Sequence, residues 1–374
     1  MFRYIALAVA TSLLATLNTQ AQADKPSAAK PEASVSSGDA VADAAWEKLE
    51  KSLEAPAAPE EWKTKRPSEE ELAKFRAGQL QFVESAADLA REFYTKYSKH
   101  PKAEEARKTE YQLVNAGVQQ LRGTNLVARL DALTTARLAD PNLDEDDRFN
   151  IRASGVKRQA ESKLPDINAA LTDFAAGART LLKEFPKREE PWAMLYSVVN
   201  QAEPVLAAKV AKEIIDGAKN EEMVQGAKVV LKRTASFGKT IDMKFTAIDD
   251  RKVDLEKLRG KVVLVDFWAT WCGPCVQALP AVKATYDKLN PKGFEIVGIS
   301  FDASLDQLKQ FVKIKNMPWP QYFDGKKWEN KYGVQFGINS IPGMWLLDKK
   351  GVVRDLQARE DLEGKVEKLL AEKD

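Results

Sequence analysis

The chain has two cysteines, and they stand together in Trp271-Cys272-Gly273-Pro274-Cys275. Two residues between thiols at a helix start let the sulfurs close a small ring with little backbone movement, so the pair can alternate between dithiol and disulfide. The first N–H groups of a helix lack partners inside it and concentrate positive potential there. That favours the thiolate of the first sulfur, which is the attacking species. Other uses of the pair fit less well. A zinc centre wants four ligands, and the chain offers a single histidine, His100, beside two cysteines. A purely structural disulfide over so short a loop would remove little freedom from the unfolded chain. His100 stands next to Pro101 in a polar turn and is expected at the surface, outside any chemistry. The acidic stretch at 140–146 is no calcium loop, because Glu145 stands where glycine is needed and Ile151 where a bidentate Glu is needed. Acids opening a helix explain it better. No metal and no cofactor beyond the Cys272–Cys275 couple is expected.

Something must hold the pair at a helix start. Just before it, Val262-Val263-Leu264-Val265-Asp266-Phe267-Trp268 is a continuous run of strand length, suited to a central strand buried on both faces. Further strands are expected at 243–248, 294–301, 344–347 and 351–354, and helices at 276–289, 305–314 and 362–370. Strands alternating with helices predict an α/β domain over residues 239–374. Residues 61–237 have a helical period instead. Pro67-Ser68-Glu69-Glu70-Glu71 reads as a capping box, and Leu72, Phe75, Phe82, Ala86, Leu89, Phe93 and Tyr97 form one apolar stripe. Breakers at Pro101, Gly123, Pro141, Pro186 and Pro204 divide this all-α region. Stacked helical hairpins of tetratricopeptide type and an irregular bundle both fit.

Residues 24–60, rich in Ala, Pro, Ser and Lys, are expected to be a flexible linker with one short helix near 45–53. Residues 1–23 have a basic start, an apolar centre and Ala21-Gln22-Ala23, the pattern of a secretory signal peptide. The mature protein is thus expected to be soluble and exported, most simply periplasmic. Fifty-seven Lys and Arg oppose 55 Asp and Glu. That balance excludes a strongly basic nucleic-acid binder.

From Val265 through Cys275, with Pro280 and Ile341-Pro342, the sequence closely resembles the thioredoxin superfamily. The lead-in ending Leu258-Arg259-Gly260-Lys261 and the segment from Gly298-Ile299-Ser300-Phe301-Asp302 to Pro318-Trp319-Pro320 resemble its exported TlpA/ResA-like branch. The resemblance implies a thioredoxin-like fold, Cys272 as exposed nucleophile, Cys275 as buried resolving thiol and Asp266 as a buried acid. A carboxyl in an apolar run should resist ionisation, which suits a group that exchanges the resolving thiol's proton. Ile341-Pro342 matches the family's cis-proline loop, Trp271 is expected to rim the substrate groove, Gly273 and Pro274 to shape the turn, and Trp268 to pack in the core. Two positions depart from the pattern: Ala278 replaces a frequent glutamate, and Gly343 follows the cis-proline in place of threonine.

The expected function is an exported thiol-disulfide oxidoreductase that reduces protein disulfides and is recharged by a membrane thiol donor. One rival is a thiol peroxidase, whose Pro-x-x-x-Thr-x-x-Cys signature would need Pro and Thr where Val265 and Ala269 stand. Another is a helical docking scaffold for partner proteins with secondary redox work. Mass spectrometry of the exported protein is expected to find Asp24 at the N-terminus; Met1 there would refute the leader assignment.

Overall fold

The computed structural model describes residues 37–373. The leader at 1–23 and the linker up to residue 36 lie outside the described residues. The chain divides into two compact units between Ile151 and Arg152.

In the first unit, Ser37–Lys51 is a helix (α1). It overlaps the short helix expected near 45–53 but starts earlier, inside the stretch read as flexible linker. Ala42, Trp46 and Leu49 are buried along it, and Trp46 and Leu49 form one cluster with Ala90, Phe93 and Ala106. Their spacing of four and three residues makes an apolar stripe that the Ala- and Ser-rich composition hides. Helix α2 (Glu69–Lys96) begins at the expected capping box: Glu71 N–H donates to the Ser68 hydroxyl at 3.2 Å, and Ser68 N–H donates to the Glu71 carboxylate at 2.7 Å. It packs on α3 (Ala103–Gln119), which is followed by α4 (Val127–Ala139) and α5 (Glu145–Glu161). Asp144 accepts the Asp147 N–H at 2.7 Å, so the acidic stretch opens α5. Glu110, fully buried, is held by Arg129 at 2.6 Å and the Tyr94 hydroxyl at 2.6 Å. His100 departs from expectation: its side chain is only 11% exposed, edge-on to Phe93 and 3.1 Å from Asp43. That is a packing role.

In the second unit, α6 (Ile167–Glu184), α7 (Glu190–Val199), α8 (Pro204–Gly217) and α9 (Glu221–Thr234) pack in sequence around Leu195, Val198, Val210, Ile214 and Val230. After the hairpin of β1 (Lys244–Thr246) and β2 (Lys252–Asp254) comes a five-stranded sheet in the order β5-β4-β3-β6-β7. Its strands are β3 (Val262–Trp268), β4 (Phe294–Ser300), β5 (Gln321–Tyr322), β6 (Gly343–Leu347) and β7 (Val353–Asp355). β3, β4 and β5 run parallel, β6 antiparallel to β3, and β7 antiparallel to β6. The helices are α10 (Gly273–Leu289), α11 (Leu305–Ile314), α12 (Lys331–Phe336) and α13 (Leu362–Ala371).

Ring contacts show which face each helix covers. Tyr286 of α10 meets Phe294 of β4, and Phe311 of α11 meets Trp268 of β3. On the opposite face Phe336 of α12 meets Trp345, which also contacts Phe267. Phe294 and Gly298 share a face by strand alternation, and Gly298 pairs with Asp266. Asp266 therefore projects beneath α10, the helix that begins at the cysteines.

The secondary structure changes character at the expected 237–239, but the compact units do not separate there. Gly238 N–H donates to the Val353 carbonyl at 2.9 Å, and Val353 N–H donates to the Lys239 carbonyl at 2.9 Å, so the chain leaving α9 joins the sheet edge. A side-chain carbon at Gly337 would sit 2.8 Å from the Val229 carbonyl of α9, and φ there is +68°. Only glycine allows that approach.

Trp46→Ala is expected to lower the unfolding free energy of the first unit by about 3–5 kcal/mol, seen as a lower urea midpoint. An unchanged midpoint would remove α1 from its core.

Candidate functional site

Cys272 is the N-cap of α10, and the Cys275 N–H donates to its sulfur at 3.2 Å. The two cysteines form a disulfide. Cys272, expected to be exposed, is 5% exposed against 6% for Cys275. The bond draws its sulfur onto the first turn of the helix, so exposure does not separate the two thiols. Position does: only Cys272 faces the unpaired N–H groups of the helix start. Pro274 stands in the first helical turn, where a missing N–H costs nothing. A side chain at Gly273 would meet open space, so glycine here leaves bare backbone beside the disulfide.

Trp271 is 52% exposed, with its ring 6.1 Å from that of Trp328, itself 45% exposed. Phe301 supports Trp328 from below at 5.3 Å. The Ile341–Pro342 peptide is cis. Gly343, the next residue, pairs with Phe267 near the end of β3, which puts this loop at the same end of the sheet as the cysteines. A side chain at Gly343 would make ordinary contact with Phe267. Trp268 is buried, as expected, and Ala278 packs against the core.

Asp266 is 5% exposed, and its Oδ1 has no hydrogen-bond partner. Burial alone pushes its pKa up to about 7. A carboxyl that titrates near neutrality under the cysteine helix can both take and return a proton at working pH.

The sequence reading missed the residues that fix the loop before Cys272. Asp302, buried just beyond β4, accepts from the Thr270 N–H at 3.2 Å and the Thr270 hydroxyl at 2.6 Å. The Ser300 hydroxyl donates to it at 2.8 Å. Asn330, also buried, donates to the Ser300 carbonyl at 3.0 Å and caps α12 through Tyr332 and Gly333. The available signal was Ser300-x-Asp302 at the end of a buried strand, where a polar pair needs a partner.

A family model described as AhpC/TSA matches residues 238–356. The thiol-disulfide oxidoreductase ResA of Bacillus thuringiensis (strain Al Hakam) is 35% identical over 129 residues, 33% of this chain and 72% of that protein. The thioredoxin-like protein YneN of Bacillus subtilis is 31% identical over 118 residues, 31% of this chain and 66% of its own length. A crystal structure of the thioredoxin domain of a Bacteroides vulgatus thiol-disulfide oxidoreductase is 28% identical. It covers 36% of this chain and 97% of that one, with a TM-score of 0.34.

The raised pKa of Asp266 has a consequence for stability. The folded state holds this proton up to about pH 7, whereas the unfolded chain releases it near pH 4. Stability therefore falls as pH rises through that window and is lowest above it. Asp266→Asn should stabilise the oxidised protein at pH 8 by a few kcal/mol, with the gain shrinking toward pH 4. Urea unfolding at both pH values measures it, and an equal effect at the two would contradict the burial argument.

Proposed function

The chain belongs to the thioredoxin-like thiol-disulfide oxidoreductases of the AhpC/TSA family, and from that footing we propose that it reduces protein disulfides in an exported compartment. The Cys272 thiolate attacks one sulfur of a substrate disulfide, and the other leaves as a thiolate that takes a proton from water. A mixed disulfide now joins the two proteins. Asp266 accepts the proton of the Cys275 thiol, and the Cys275 sulfur attacks Cys272. The Cys272–Cys275 disulfide forms, and the second substrate thiolate departs. The substrate has gained two electrons, and a membrane thiol donor returns two to the enzyme.

The observation that carries this reading is the N–H of Cys275 aimed at the Cys272 sulfur at the start of α10. It supports Cys272 as the sulfur whose negative charge the helix start would stabilise once the pair is reduced. Trp271, Gly273 and the Ile341–Pro342 loop form the docking surface for an extended substrate segment, with bare backbone at Gly273 allowing close approach. The helical region recruits partner proteins. Gly-Pro between the cysteines resembles the reducing members, which supports the direction of flow. Among the described residues no helix is long and apolar enough to cross a membrane. The peroxidase reading lacks its signature residues, since the buried positions in question hold Val265 and Ala269.

Cys275→Ser is expected to accumulate covalent substrate adducts on Cys272, visible on non-reducing gels, and Cys272→Ser to accumulate none. The reverse pattern would exchange the two roles. The couple is expected near the reducing end of the family span, about −270 mV; a value above about −150 mV would make the protein an oxidant.

A further inference from the structure

We propose that Gln321 is a positioning residue for Asp266, its side-chain amide donating a hydrogen bond to the Asp266 carboxylate when that group carries its negative charge. The inference rests on the proton-accepting role given to Asp266 above.

Three parallel strands set the geometry. Asp266 of β3 pairs with Gly298 of β4, and Gly298 pairs with Gln321 of β5. Residues paired in register point to the same face, so Asp266 and Gln321 share the side that α10 covers. Between them stands a residue without a side chain. The Gln321 amide fills the space that a side chain at 298 would take: an ideal Cβ there would fall 2.6 Å from the amide carbon and 2.9 Å from Nε2. The amide thus reaches back across β4 toward Asp266. Strands are spaced about 4.8 Å apart, so an amide displaced from β5 onto β4 lies over the row next to Asp266.

Trp268 orients the amide. Its indole N–H can only donate, and it donates to the Gln321 Oε1 at 2.9 Å. Nε2 must then face elsewhere. It is buried with both protons unpaired, in the same row as the unpaired Oδ1 of Asp266. A buried donor and a buried acceptor left unpaired on one row of the same sheet face are both costly unless each finds a partner. No charged group competes at this row, where the other neighbour of Asp266 is Met344. The titratable groups at the helix start above are Cys272 and Cys275, joined as a disulfide. Burial is the sole cause of the Asp266 shift. A hydrogen bond to the charged form favours that form, so the amide helps keep Asp266 ionised and ready to receive the thiol proton.

The test uses the full reduced chain without substrate, so its outcome is separate from the direction of electron flow. Gln321→Met keeps the side-chain length and removes the donor. The carboxyl band of Asp266, identified by infrared difference against Asp266→Asn, is followed with pH. The midpoint is expected to rise by about half a pH unit or more, a threefold or larger drop in the acid dissociation constant. In the Asp266→Asn background the same substitution should leave the thiol titration curves unchanged. Trp268→Phe with Gln321→Met avoids stranding the indole N–H and should give the same rise. An unmoved midpoint, or a thiol shift that persists without Asp266, would overturn the proposal. So would failure of both variants to fold, since the amide would then be a packing element.

Discussion

A buried strand ending where a helix begins is the constraint on which this molecule depends. β3 is buried along its whole length, and α10 starts after a four-residue turn. The turn between them places one sulfur against free helix N–H groups and one carboxyl beneath the same helix. The two effects oppose each other: the helix start favours charge on sulfur, and burial disfavours charge on carboxylate. Near neutral pH the Asp266 carboxyl is not committed to a single protonation state, which is what a group that both takes and returns a proton requires.

A buried polar lattice fixes this turn. Asp302 takes both the N–H and the hydroxyl of Thr270, Ser300 supports Asp302, and Asn330 ties that group to α12. None of these residues reacts. Each satisfies a polar atom that would otherwise stay unpaired next to the apolar core. The segment after β4 thus reaches the cysteine turn at two points, through Asp302 on Thr270 and through Trp328 against Trp271.

Much of this was legible in the residues. The run from Val262 to Trp268 announced β3, and the apolar periods at 276–289, 305–314 and 362–370 announced α10, α11 and α13, because burial writes itself into hydrophobic pattern. The Ser68–Glu71 box was readable since its partners are three residues apart. Elements set by distant partners were not. β5 has only Gln321 and Tyr322, and it exists because β4 offers it an edge. Helix α12 is six residues with a glycine inside, held by Asn330. β2 is three residues that need β1. Helix α1 was legible in part: a short helix near 45–53 was expected around Trp46, whereas its Ala- and Ser-rich first turns from Ser37 read as linker. At the site, the cysteines were found from type and spacing, and Asp266 and the cis-proline loop from the resemblance to the thioredoxin superfamily. Thr270, Asp302 and Gln321 were missed because their roles depend on neighbours far along the chain.

The bare backbone of Gly337, set against α9, limits how the protein can be cut. A piece starting at residue 239 would keep every residue that touches sulfur, yet it would lose the Gly238 rung on Val353 and lay open the seat of α9. The redox third of this chain is therefore not a cassette to be lifted out at its sequence border. Its natural excision point lies upstream of α6, with the four helices that follow carried along as part of its shell.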